Sequence, residues 1–100
     1  MIEQYCKVFL EATNPLPGGL GWVKVGWRTF RHGLLEIDVL RNTDRRFPMM
    51  LELHPAREMT DAEFIGACSG LLTEIGPLVT SHVAACDFEE QLPTCGGLAS

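Results

Sequence analysis

Three histidines (His32, His54, His82) and four cysteines (Cys6, Cys68, Cys86, Cys95) have the widest chemical range in this chain, as metal ligands, proton carriers or nucleophiles. Zinc sites are usually signalled by short C-x2-4-C or H-x3-5-H spacings, and neither occurs here. His82 and Cys86 come nearest, at i and i+4. On a helix they would share a face; in a strand they share a side but lie too far apart for one ion. A Cys/His nucleophile pair would meet in space rather than in sequence. A small metal- or thiol-dependent enzyme is therefore the second reading, with His54, His82, Cys86 and Asp87 as its nominees. The first reading is non-enzymatic and predicts no metal and no cofactor.

That first reading starts from Asp87, Glu89 and Glu90 around Phe88, the densest acidic cluster in the chain. Taken plainly it is a solvated turn. Taken functionally it is a partner-binding surface, with Phe88 as an apolar anchor and the carboxylates steering a basic protein toward it. Glu36 and Asp38 project from one side of a strand and would extend the acidic surface.

Charge narrows the partners. Eight Lys and Arg against thirteen Asp and Glu give a formal charge of −5, which opposes a phosphate backbone. The densest basic cluster is Arg41, Arg45 and Arg46, interrupted by Asp44, so no nucleic-acid partner is expected. Pro17-Gly18-Gly19-Leu20-Gly21 lacks the lysine of a phosphate-binding loop and leads toward a strand, so it reads as a turn. No run approaches the length of a membrane span, and Met1–Tyr5 lacks a basic segment followed by an apolar one. A cytoplasmic, reducing location with free thiols is the expectation, with no membrane partner and with a homo-oligomer left open.

The elements that must position these groups follow from periodicity. One hundred residues, 46% hydrophobic, suit a single domain. Tyr5–Ala12 alternates as a strand, and Asn14–Gly21 breaks regular structure. Trp22–Phe30 suggests a second strand, bulged at Gly26, and a turn follows at His32-Gly33. Leu35, Ile37 and Val39 mark a third strand; Met49, Leu51 and Leu53 mark a fourth after a polar turn at 41–46. Thr60-Asp61-Ala62-Glu63 matches a capping box. Phe64, Ile65, Cys68, Leu71, Leu72 and Ile75 then form one helical face, which Gly76-Pro77 should end. Residues 78–85 fit either a second helical segment or a crossover into a fifth strand around His82–Asp87, the strand being preferred, and residues 94–100 read as a frayed tail. The predicted architecture is α+β: an antiparallel sheet of four to five strands, its apolar face covered by one long amphipathic helix.

Ala85-Cys86-Asp87-Phe88-Glu89-Glu90-Gln91-Leu92-Pro93 with Gly96-Gly97 resembles the C-terminus of a group of small uncharacterised bacterial proteins, over the last third of the chain. The resemblance implies a compact α+β fold and no particular activity. In size and acidity the chain is also similar to immunity proteins that neutralise bacterial toxins, which makes an inhibitor of that type the most concrete form of the binding reading. The terminal diglycine does not make the chain a ubiquitin-like carrier, because the expected helix follows four strands rather than two.

Overall fold

Alternation decides the strands. In β1 (Cys6–Glu11), Cys6, Val8 and Leu10 are wholly buried while Lys7, Phe9 and Glu11 are half-exposed, the period-two pattern of a strand with one face in a core. β4 (Leu35–Arg41) repeats it with Leu35 and Ile37, and β5 (Met49–Pro55) with Leu51 and Leu53. The structure is a computed structural model and describes residues 2–11 and 20–93. The expected loop as far as Gly19, Cys95, Gly96-Gly97 and the frayed tail lie outside the described residues.

The stretch expected as one bulged strand is two: β2 (Val23–Lys24) and β3 (Thr29–His32). The N–H groups of Val25 and Gly26 both donate to the Thr29 carbonyl, at 2.9 and 3.1 Å, and the chain reverses between the two strands. A Cβ at Gly26 would stand 3.3 Å from that of Thr29. Gly26 therefore marks a turn, where the returning strand leaves little room for a side chain. Gly33, at φ +58°, makes the next reversal.

The strands form one antiparallel sheet in the order β2-β3-β4-β5-β1-β6. Among the described residues the sheet thus has six strands, beyond the four to five expected, and the consecutive run is β2 to β5. β1 does not begin that run but lies between β5 and β6 (Ser81–Ala85). The order has a physical basis: β1 is fully apolar on one side, whereas the Trp22–His32 segment carries Lys24, Arg28 and Arg31 and takes the edge, where a charged short strand resists further pairing. β6 bears out the preferred strand but spans Ser81–Ala85, ending before Cys86 and Asp87 rather than running to Asp87.

Between β5 and β6 runs α1 (Asp61–Ile75), opened by the expected capping box: Thr60 accepts from the Glu63 N–H while the Glu63 side chain accepts from the Thr60 N–H. Asp61 accepts from the Ile2 N–H and the Gln4 amide, each at 3.1 Å. These bonds tie the N-terminal segment to the helix start. They also hold the Asp61 carboxyl below its usual range, the Gln4 bond contributing most. Pro77 follows in a 3-10 turn, Gly76–Leu78, that ends the helix. The buried helical residues are Phe64, Cys68, Leu71, Leu72 and Ile75, with Ile65 half-buried at the margin. They pack on the side of the sheet that presents Cys6, Val8, Leu10, Leu35, Ile37, Leu51 and Leu53. Among the described residues no helix is long and apolar enough to cross a membrane.

Candidate functional site

The helix covers one face of the sheet. Among the described residues the other face carries no second layer, and register spells out what it displays, since directly paired residues share a side. One row runs Leu40, Met50, Phe9, Val83 across β4, β5, β1 and β6, every member half-buried. The next row is Thr29, Asp38, Glu52, Lys7, Ala85, and the one beyond is Val23, Arg31, Glu36, His54. An apolar stripe thus lies beside a strip of ionisable groups.

Within that strip three groups converge. One ligand-type atom from each of Asp38, Glu52 and His54 lies within 4.8 Å of the others, and His54 Nε2 is 3.5 Å from Asp38 Oδ2. Hydroxyls hold both carboxylates from outside: Thr29 donates to Asp38 Oδ1 at 2.6 Å and Tyr5 to Glu52 Oε2 at 2.7 Å. The Tyr5 ring also lies 5.1 Å from that of His54. Partial burial, and then the Glu52 bond, push the Tyr5 phenol up to about 12, so at neutral pH it remains a donor.

The sequence-derived surface is divided by this arrangement. Glu36 and Asp38 lie on the open face, where Glu36 pairs with Arg31 at 3.4 Å. Asp87, Glu89 and Glu90 lie beyond the end of β6 in a segment folded toward the helix side, and they do not join Glu36 and Asp38. Asp87 accepts from the Glu3 N–H at 2.9 Å; Glu89 and Glu90 are exposed. Phe88 is not an exposed anchor. It is 2% exposed and meets Phe64 of α1 edge-on, with ring centroids 5.7 Å apart. Two aromatic rings in such contact exclude more water than either would alone, and the acidic flanks mask a core residue. The exposed aromatic is Trp27, 83% accessible in the β2–β3 turn, beside exposed Val25 and Val23.

The histidines and cysteines separate as well, among them the enzyme nominees His54, His82 and Cys86. His32 binds Glu74 of α1 at 2.8 Å, His54 is on the open face, and His82 is buried on the covered side opposite Leu10. Burial lowers the His82 pKa. Cys6, Cys68 and Cys86 are free. Its hydrogen bond with Cys68, and then burial, push the Cys6 thiol far up, while burial takes Cys86 up to about 12. Both thiols are therefore protonated at neutral pH and poor nucleophiles.

Glu52 and Tyr5 are the site members that sequence reasoning did not nominate. The alternation that assigned Met49, Leu51 and Leu53 to the core already places Met50, Glu52 and His54 together on the opposite side. Their meeting with Asp38 depends on the β4–β5 register, which the seven-residue connection from Asn42 to Pro48 leaves open, and their meeting with Tyr5 depends on the pairing of β5 with the sequence-distant β1.

Fold and site together define, among the described residues, an α+β protein with one α-helix packed on one face of an antiparallel sheet and a carboxylate–imidazole cluster on the other face. Comparison with protein-family models, curated proteins and solved structures finds no match to this chain.

Proposed function

We propose that the chain is a protein-binding module whose uncovered sheet face receives another protein with a basic surface. The observation that carries this reading is the stripe Leu40–Met50–Phe9–Val83, a continuous, half-buried apolar row across four strands, over which no further helix or strand is layered among the described residues. Such a stripe is what an interface core requires. The formal charge of −5 favours a cationic partner, with Glu89 and Glu90 acting at a distance by steering it. An inhibitor that caps a basic surface, the immunity type, is the concrete form this suggests, at work in the cytoplasm.

The test is affinity capture with the parent and with folded Met50→Lys and Glu89→Lys/Glu90→Lys variants, followed by association kinetics. A basic protein lost with Met50→Lys, and only slowed in association by the double reversal, supports the reading; rising salt should slow the parent in the same way. A partner bound equally by the parent and Met50→Lys would refute it. So would sedimentation showing a self-associated dimer that Met50→Lys dissociates, since the face would then serve a second copy of the chain.

A further inference from the structure

We propose that Asp38, Glu52 and His54 form a binding site for a first-row transition dication of the Zn2+ type. Asp38 and Glu52 are directly opposed on β4 and β5, and like charges in that position repel. The other carboxylates of the face have cationic partners: Glu36 has Arg31 at 3.4 Å and Glu11 has Arg46 at 3.7 Å. Among the described residues no lysine or arginine is ion-paired with Asp38 or Glu52, although Lys7 occupies the position across from Glu52 on β1. Two half-buried carboxylates and one imidazole are thus left together with excess negative charge.

Their geometry suits a metal. Tetrahedral ligands at about 2.0–2.1 Å from zinc stand about 3.3 Å apart, and His54 Nε2 and Asp38 Oδ2 are already at 3.5 Å. Glu52 also offers a ligand atom within 4.8 Å of both, so that rotation of its side chain would close the triangle. The Thr29 and Tyr5 hydroxyls each hold one oxygen of a carboxylate and leave the second oxygen to the ion, the outer-shell pattern that orients metal ligands. One nitrogen and two oxygens select zinc and its neighbours over Mg2+, which prefers an all-oxygen shell. Three protein ligands leave a fourth coordination position for water, on a face that carries no second layer among the described residues.

Calorimetric titration of the full chain with Zn2+, without any partner protein, tests the site separately from partner binding. One ion should bind per chain, and Mg2+ should not compete. Asp38→Asn, Glu52→Gln and His54→Gln should each weaken binding by at least about ten- to hundredfold, while Tyr5→Phe and Thr29→Val, which keep all three ligands, should weaken it about tenfold. His32→Gln, which removes the separate His32–Glu74 pair, should leave affinity unchanged. Co2+ substitution should give a spectrum without a thiolate charge-transfer band. Absence of Zn2+ uptake would overturn the site, as would uptake indifferent to all three ligand substitutions, loss of binding with His32→Gln, or a thiolate band placing the ion at cysteine.

Discussion

The two faces of the sheet are made from the same strands and have opposite chemistry. On the covered side, Cys6, Val8, Leu10, Ile37, Leu51 and Leu53 are wholly inaccessible and apolar, as burial under a helix demands. On the open side the intervening residues are half-exposed and mixed, and their polar members are joined to one another: Thr29 to Asp38, Tyr5 to Glu52, Arg31 to Glu36. Packing specifies the first face, and it tolerates few residue types. The second face is only half-buried and tolerates polar residues at many positions, so a continuous apolar stripe beside converging ligand atoms stands out on it.

Substitutions can break or sharpen that contrast. The largest effect is expected on the covered side from Phe88→Ala, which should destabilise the chain by about 3–5 kcal/mol by emptying a core site against Phe64. A denaturation midpoint unchanged at equal slope would return Phe88 to the surface.

A smaller effect comes from His82, the polar residue buried on the covered side beside the uncharged Leu10. Its folded pKa lies below the ordinary 6.5. As pH falls through 6.5 the unfolded chain takes a proton that the folded chain resists, so stability is full above that pH and declines below it. The slope should not exceed about 1.4 kcal/mol per pH unit for one group. His82→Leu should flatten the stability profile just below pH 6.5, measured by denaturant titration across pH, and a profile identical to the parent's would mean that burial does not perturb this histidine. Asp61, whose folded pKa is lowered from 3.8, acts in a separate and more acidic window.

Thr60→Ala should cost about 1 kcal/mol by removing the helix cap, read from the same denaturation midpoint. The smallest stability effect belongs to Trp27→Ala, within about 0.5 kcal/mol because the residue is exposed. If the β2–β3 turn contacts the partner, that variant should nevertheless lose about 2 kcal/mol of binding, read as faster dissociation. A Trp27→Ala chain that melts early would place the turn among the structural elements instead.

The covered face was legible in the sequence because alternation and the helical stripe report burial directly: Leu51, Leu53, Phe64, Leu72 and the Thr60 cap all stand where their spacing puts them. The division of Trp22–Phe30 into two strands was hidden because Gly26 suits a bulge and a turn equally, and only proximity to Thr29 decides between them. The open-face cluster was half legible. His54 and Asp38 were each singled out, for different reasons, but Glu52 and Tyr5 join them through cross-strand pairing, which leaves no local trace. Phe88 was misplaced because acidic neighbours imply exposure, whereas its burial is decided by Phe64 on a distant element.

The position of β1 has a consequence for how the chain comes together. β1 is the first of these strands to be synthesised, yet one of its neighbours, β6, is the last, and Phe9 meets Val83 only after the helix between them has been made. The meander from β2 to β5 can assemble from nearby partners, while the β1–β6 seam at the far side of the sheet must await closure of the long intervening chain from Glu11 to Ser81, the slow kind of step. Until then β1 offers an unsatisfied edge on the side that β6 will occupy, and a nascent or stalled chain is open there to pairing with the wrong strand, its own or another copy's.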